Sequence, residues 1–188
     1  MVSNWDRELY IKACRFAAQA HLGQLIPGSN IPYLLHLNLV SMEIIAALGA
    51  ETGHNGDLAV QCALLHDTIE DTDTSYDRIA AIFGVRVADG VLALSKNSDL
   101  EKSRRLADSL ERIKTQPIEI WMVKLADSLS ETLRERITNL QPPPVHWDRA
   151  KIVRYRNEAI EIHTYLQSAS PFLASRLAEK IQNYPPKA

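Results

Sequence analysis

The chain has 188 residues, of which 46% are hydrophobic and 23% are charged. This length and composition are typical of one well-packed globular domain, so we expect residues 1–188 to form a single domain. The formal net charge of -2 argues against a general nucleic-acid or membrane partner and favours a small-molecule partner. The sequence assigns no oligomeric state.

Cysteine usage and hydropathy indicate where the protein works. Cys14 and Cys62 both lie in apolar helical patterns, which suit reduced, buried thiols better than a disulfide framework. No basic leader precedes an apolar run at the N-terminus, and no stretch reaches the roughly 18 apolar residues that a membrane span needs. We therefore expect a cytoplasmic protein without membrane-spanning segments.

Apolar residues three and four positions apart recur in almost every segment, which predicts an all-α fold. The first predicted helix runs from about Trp5 to Leu22 and ends at Gly23. A loop rich in proline and glycine, 27–32, then leads to His36. Two further helices are predicted at about Leu37–Leu48 and Asp57–Thr68.

The second half of the chain continues the helical pattern. The segment 74–77 has the form of an N-terminal cap, and Gly84 ends the short helix that it starts. Prolines form a stiff connector at 141–144. The other helices in this half are predicted at about Val85–Leu94, Asp99–Lys114, Pro117–Thr138, Trp147–Ser168 and Pro171–Tyr184.

His66 and Asp67 are adjacent near the predicted end of the third helix. On a regular helix their side chains diverge by about 100°, so both reach one ion only where the helix ends or bends. The turn-rich sequence after Glu70 predicts such an ending. Imidazole nitrogen and carboxylate oxygen together suit borderline divalent metals and leave coordination positions for water or phosphate.

The sequence around His66 and Asp67 strengthens their interpretation as metal ligands. The segment 63–72 reads ALLHDTIEDT, and IFGV follows at 82–85. Three further motifs occur in matching order: AHLGQ at 20–24, PYLLH at 32–36 and VKLAD at 123–127. Together they resemble the hydrolase domain of the RelA/SpoT family, including its stand-alone small alarmone hydrolases of the Mesh1 type. The resemblance covers about Leu9 to Leu166 and implies a single-domain, HD-type helical bundle.

The resemblance also implies a set of site residues. It makes Glu70 and Asp71 the acidic pair that handles the attacking water, whereas a solvated helix end is the alternative for this pair. His21 is expected to support the site without binding the metal. The ligands of a Mn²⁺ ion are implied to be His36, His66, Asp67 and Asp127.

In the resembling family the substrate is guanosine tetra- or pentaphosphate, and hydrolysis releases pyrophosphate from the ribose 3′ position. Such a substrate needs cations for its phosphates and a surface for its base. Gln24 and Tyr155 are implied to lie near the nucleotide, with a half-buried core aromatic as the alternative for Tyr155. The candidate phosphate-binding cations are Lys124, Arg134, Lys102 and Arg105, each with an ordinary surface charge as its alternative.

Two departures from the family pattern affect the predicted nucleotide site. Leu25 and Ile26 stand where the family has a basic pair, and Glu131 stands where it commonly has an asparagine that contacts the nucleotide. The metal ligands and the acidic pair stay intact, so hydrolysis of (p)ppGpp is the leading hypothesis and its adenine analogue (p)ppApp is a serious option. The alternatives are another phosphoester, such as a nucleoside monophosphate or NADPH, and a non-catalytic nucleotide-binding sensor.

Overall fold

The chain is all-α, as predicted, in a computed structural model that describes residues 4–27, 29–137 and 149–184. Side chains are described except at 130–137. In these ranges no strand forms, and Leu25 and Pro32 make an isolated bridge. The helices are α1 (Arg7–Ala20), α2 (Leu34–Ala50), α3 (Gly56–Leu65), α4 (Thr68–Asp71), α5 (Tyr76–Phe83), α6 (Val85–Leu94), α7 (Lys102–Lys114), α8 (Ile118–Ile137), α9 (Arg149–Leu166) and α10 (Pro171–Gln182), with a 3₁₀ turn, Gln167–Ala169, before α10.

Helix α3 lies at the centre of the hydrophobic core and packs against α1, α2, α6 and α8. Its residues are apolar on every side and almost all of them are buried, which is the pattern of a helix without a solvent face. Gly90 lets α6 approach closely, because a Cβ there would lie 2.5 Å from the Ile120 side chain of α8. This packing fixes the end of α3 relative to α2 and α8.

An ion pair joins α10 to α2. Glu43 is 2% exposed, and its carboxylate accepts hydrogen bonds from Arg176 Nε at 2.8 Å and Nη2 at 2.6 Å. The amide N–H of Phe172 donates to Glu51 Oε1 at 2.8 Å near the end of α2. The Arg176 side chain is 41% exposed, so solvent screens this pair, and its bidentate geometry chiefly fixes where α10 meets the C-terminal half of α2.

Several predicted helix boundaries shift in the structure. The second helix begins at Leu34, so His36 lies inside its first turn and not in the preceding loop. Pro32 lies just before the N-cap residue Tyr33, so its missing amide N–H removes no hydrogen bond from this helix. The third helix ends at Leu65, earlier than predicted, and the cap of α5 is Ser75, whose hydroxyl accepts from Arg78 N at 3.2 Å.

Two further predictions concern the proline connector and membrane-spanning segments. The proline connector at 141–144 and the predicted start of the following helix at Trp147 lie outside the described residues. Among the helices of the described ranges, none combines the length and the apolar character that crossing a membrane requires.

Candidate metal centre

Three elements of the core bring the four predicted ligands together. His36 comes from the first turn of α2, and Asp127 comes from α8. His66 and Asp67 form the turn between α3 and α4. The prediction that this pair requires a helix end is confirmed, since α3 stops at Leu65.

The ligand atoms of these residues converge on one point. His66 Nε2 lies 3.2 Å from His36 Nε2, 3.0 Å from Asp67 Oδ2 and 3.6 Å from Asp127 Oδ1. His36 Nε2 lies 3.4 Å from Asp67 Oδ2 and 3.5 Å from Asp127 Oδ1. Ligands about 2.1 Å from one divalent ion stand roughly 3.0 to 3.4 Å apart at right or tetrahedral angles. The donor set and its spacing therefore fit a divalent metal.

The end of α3 orients the His66 ring. His66 Nδ1 donates to the carbonyl of Ala63 at 2.8 Å, and Thr68 Oγ1 donates to the carbonyl of Leu65 at 2.6 Å. These side chains satisfy carbonyls that a helix end leaves without partners. Because Nδ1 carries the proton, the lone pair of neutral His66 is on Nε2, which faces the other ligands.

The centre opens to solvent at Asp67. The side chains of His36, His66 and Asp127 are 1%, 2% and 7% exposed, whereas that of Asp67 is 17% exposed. Asp67 is therefore the most solvent-accessible of the four predicted ligands.

Lys124 lies one helical turn before Asp127 on α8, and its Nζ donates to Asp127 Oδ2 at 2.8 Å. Lys124 is 5% exposed, so the alternative of an ordinary surface charge is wrong. The pair leaves Asp127 Oδ1 facing the histidines and places a positive charge at the rim of the centre. Its predicted contact with a substrate phosphate stays a prediction.

When no metal is bound, the charges of these four side chains shift one another's pKa values. Burial lowers the pKa of His66, but the negative charges of Asp67 and Asp127 outweigh burial and raise it well above its ordinary value. The pKa of His36 is also raised, by its hydrogen bonds to the same carboxylates against burial. Burial raises the pKa of Asp127 while Lys124 and the histidines lower it, and the net result lies well below its ordinary value.

Metal binding is expected to release protons and to tighten as pH rises. The raised histidine pKa values keep protons on the centre near neutrality, and a metal must displace them. Calorimetric titration with Mn²⁺ in buffers of different ionisation enthalpy measures the protons released. A binding enthalpy that is the same in every buffer would contradict this expectation.

The same pKa values predict how the metal-free protein responds to pH. A raised histidine pKa stabilises the fold fully below the ordinary histidine value, and the contribution is lost as pH rises through the raised value. Metal-free protein should therefore lose thermal stability on the alkaline side, and added Mn²⁺ should restore it.

The acidic pair lies on the short helix α4, directly after the ligands. Glu70 follows Asp67 by three residues and so shares its helix face. Glu70 Oε2 accepts from the backbone N–H of Lys96 at 2.7 Å, and Lys96 Nζ lies 3.6 Å from Oε1. Burial raises the pKa of Glu70, with Lys96 acting against it. Asp71 is exposed.

The residues predicted to contact the nucleotide have different surroundings. Gln24 is half-buried, and its Oε1 lies 2.6 Å from His21 Nδ1. Tyr155 is half-buried on α9 beneath Arg154, whose guanidinium lies 5.7 Å from the ring centroid. Glu131 and Arg134 fall in the part of α8 whose side chains lie outside the described residues.

The other two predicted cations lie at the start of α7. Lys102 is exposed there. The Arg105 guanidinium donates to the carbonyls of Leu100 and Ser98 at 2.9 and 2.8 Å. These hydrogen bonds of Arg105 stabilise the turn that leads into α7.

The loop that departs from the family pattern is closed by backbone pairing. Ile26 N donates to Ile31 O at 2.8 Å, and Tyr33 N donates to Gln24 O at 2.9 Å. Ile26 is 4% exposed and belongs to the core, whereas Leu25 is 46% exposed. Of the two apolar residues that depart from the family pattern, only Leu25 therefore presents its side chain to solvent.

Two contacts of the site were not predicted from sequence. Tyr33, in the motif before His36, donates its hydroxyl to Asp67 Oδ2 at 2.5 Å. Lys96 holds Glu70 from 26 residues further along the chain. The motif around Tyr33 marked its importance but not its partner, and no local pattern signalled Lys96.

Comparisons with known proteins agree with this geometry. The HD domain family matches residues 13–151. The MESH1 protein of Xenopus tropicalis is 30% identical over 175 residues, covering 92% of each chain, and that of Mus musculus is 30% identical over 172 residues, covering 90% of each.

A solved structure of a metazoan ortholog of SpoT, described as hydrolysing ppGpp, matches with a TM-score of 0.80 at 24% identity. The match covers 96% of this chain and 98% of that one, which shows a shared fold. The chain therefore belongs to the HD domain family and, within it, to the MESH1-type proteins.

Proposed function

We propose that this protein hydrolyses the 3′-pyrophosphate of ppGpp-like alarmone nucleotides at a divalent metal held by His36, His66, Asp67 and Asp127. The observation that carries the proposal is that the Nε2 atoms of both histidines lie 3.0 to 3.6 Å from a carboxylate oxygen of Asp67 and from one of Asp127. The frog and mouse relatives are named guanosine-3′,5′-bis(diphosphate) 3′-pyrophosphohydrolases, which supports this substrate class.

The chemistry of the centre suits this reaction. When bound, a divalent ion lowers the pKa of a water ligand toward neutrality and polarises a phosphoryl oxygen. Water oxygen joins the phosphorus next to the ribose, the bond from that phosphorus to the ribose 3′ oxygen breaks, and the 3′ oxygen takes up a proton as pyrophosphate leaves. Asp67 is the most exposed of the four ligands, which supports entry of the phosphate from that side.

Glu70 is the residue of the acidic pair best placed to hold the transferred proton. Its side chain is 23% exposed and lies beside Asp67 on α4. Burial raises the pKa of this carboxyl, and a base whose pKa is raised toward neutrality transfers protons more efficiently at neutral pH. Asp71, on the exposed side of the same helix, orients the water that Glu70 deprotonates.

Manganese is the metal we propose for the centre. Two imidazole nitrogens and two carboxylate oxygens form a mixed donor set that a borderline divalent ion accepts. This set also leaves positions for water and a phosphoryl oxygen.

We propose that Gln24, Lys124, Glu131, Arg134 and Tyr155 form the nucleotide site. The exposed apolar side chain of Leu25, at a position where the family has a basic residue, supports a relaxed preference for guanine. Activity toward the adenine alarmones (p)ppApp is therefore part of the proposal.

A substrate panel tests the proposed function. Mn²⁺-loaded protein is incubated separately with ppGpp, ppApp, NADPH and GMP, and the products are resolved by chromatography. We expect pyrophosphate from both alarmones. Hydrolysis of NADPH or GMP alone would assign the centre to another phosphoester, and binding of ppGpp without turnover of any compound would identify a sensor.

Replacing Lys96 with alanine is expected to move the acidic limb of the pH-rate profile upward by a fraction of a pH unit. The Lys96 ammonium lowers the pKa of Glu70, and a partly exposed ion pair contributes little energy. The backbone hydrogen bond to Glu70 remains in this variant. Lys114→Ala removes a lysine that pairs with Glu111 and should leave the profile unchanged. A downward shift in Lys96→Ala would contradict the role given to Glu70.

A cytoplasmic location completes the proposal. Cys14 and Cys62 are both free thiols, and Cys62 is buried, which supports a reducing environment.

A further inference from the structure

Tyr33 contacts the metal centre through one oxygen of Asp67. Its hydroxyl donates to Asp67 Oδ2 at 2.5 Å, and the same oxygen lies 3.0 Å from His66 Nε2 and 3.4 Å from His36 Nε2. Tyr33 is 3% exposed. The phenol therefore occupies one lone pair of Oδ2 and restricts the carboxylate to orientations that direct another lone pair at the histidines.

The Tyr33 ring is fixed between two histidines. The His21 ring stacks on it with a centroid distance of 5.1 Å and an interplanar angle of 25°. The His36 ring also contacts it, with a centroid distance of 5.3 Å and an interplanar angle of 56°. Aromatic pairs at these separations attract each other beyond their simple burial, so the hydroxyl has little freedom to leave Asp67.

His21 connects the same tyrosine to Gln24. Because an amide oxygen only accepts hydrogen bonds, the contact of 2.6 Å between His21 Nδ1 and Gln24 Oε1 assigns the proton to Nδ1. The carbonyl of Gln24 also accepts from Tyr33 N at 2.9 Å. Gln24 and Tyr33 are thus held together both by the backbone and by the His21 ring.

We propose that Tyr33 is a positioning residue that orients Asp67 for the metal, and that His21 is a positioning residue that orients Gln24 for the nucleotide. The first role needs only the metal centre, whereas the second rests on the proposed function. Hydrogen bonds that orient metal ligands change metal affinity by about 10- to 100-fold when they are removed.

Tyr33→Phe tests the first role, because it removes the hydroxyl and keeps the buried ring. Tyr76→Phe is a matched control, since Tyr76 donates to the carboxylate of Asp89 at 2.8 Å, away from the ligands. We expect Tyr33→Phe to weaken Mn²⁺ binding by about 10- to 100-fold in calorimetric titrations, and Tyr76→Phe to leave it unchanged. The visible spectrum of the Co²⁺-loaded protein should change in Tyr33→Phe alone.

A Tyr33 that served only to stabilise the fold would give a different result. If Tyr33→Phe lowers the melting temperature of the metal-free protein but keeps wild-type Mn²⁺ affinity and the wild-type Co²⁺ spectrum, the first role is wrong. A Tyr33→Phe chain that fails to fold while Tyr76→Phe folds would also contradict it, because the proposal assigns the Tyr33 hydroxyl no special share in folding.

His21→Phe tests the second role, because a phenyl ring keeps the stacking on Tyr33 and loses the hydrogen bond to Gln24. We expect Mn²⁺ affinity and kcat to stay near wild type while the KM for ppGpp rises. Loss of Mn²⁺ affinity, or an unchanged KM, would overturn this role. If wild-type protein binds Mn²⁺ but does not turn over ppGpp, the proposed function fails while the Tyr33 test still stands on its metal readouts.

Discussion

Replacing His66 with alanine is expected to abolish both metal binding and hydrolysis. His66 Nε2 lies within 3.6 Å of a ligand atom from each of the other three residues, so its loss removes a central member of the donor set. Loss of an outer hydrogen bond already costs about 10- to 100-fold in metal affinity or activity, and loss of a ligand should cost more. Elemental analysis of purified protein and pyrophosphate release from ppGpp measure the two effects.

His163→Ala is the matched control for this variant. His163 lies on α9 and is not among the predicted ligands, so the control removes an imidazole without changing the centre. Circular dichroism checks the fold of both variants, because His66 also satisfies the carbonyl of Ala63 at the end of α3. Retention of stoichiometric metal in folded His66→Ala would show that the ligands are assigned wrongly.

Neutralising the acidic pair, by Glu70→Gln with Asp71→Asn, is expected to stop turnover but not binding. The amides keep the size of the carboxyls and cannot take the proton of the attacking water. General acid–base catalysis contributes about 10²- to 10⁴-fold, and the kcat for ppGpp should fall by that factor. Quenched-flow measurement of pyrophosphate and calorimetry with Mn²⁺ and ppGpp separate catalysis from binding.

Asp73→Asn provides the control for the double variant. Asp73 is an exposed carboxylate in the turn that follows α4, so its change tests whether any lost negative charge nearby is enough. We expect Asp73→Asn to keep wild-type kcat. If the double variant retains full activity while still binding ppGpp, the water-handling role of Glu70 and Asp71 is wrong.

A local rule predicts how His66 and Asp67 come to face the same point, because adjacent side chains do so only where a helix ends or bends. The turn-forming residues after Glu70 do not locate that end, since Thr68–Asp71 forms the short helix α4. The structure places it at Leu65. The sequence predicts the start of the second helix at about Leu37, whereas the helix begins at Leu34, so His36 lies in its first turn.

The contacts that tune the site are harder to predict, because they join distant parts of the chain. Tyr33 reaches Asp67 across 34 positions, and Lys96 reaches Glu70 across 26. Such pairs depend on how helices pack, which no local pattern encodes. The ion pair between Lys124 and Asp127 differs from these, because the two residues are three positions apart on one helix and local geometry alone brings their side chains together.

Leu25 and Ile26, which depart from the family pattern in the loop before α2, have opposite surroundings. Ile26 turns into the core, and Leu25 stays at the surface. The backbone pairing of this loop decides which of the two side chains points outward. Of the two, Leu25 can therefore be substituted without disturbing the core.

Titrating metal-free protein with Mn²⁺ while measuring pyrophosphate release from ppGpp tests whether one bound metal ion is required for the proposed hydrolysis. We expect no turnover without metal, a rise in rate with each addition, and saturation at one ion per chain, with GDP as the other product. Full activity of the metal-free protein, or no pyrophosphate release once one ion is bound, would contradict it.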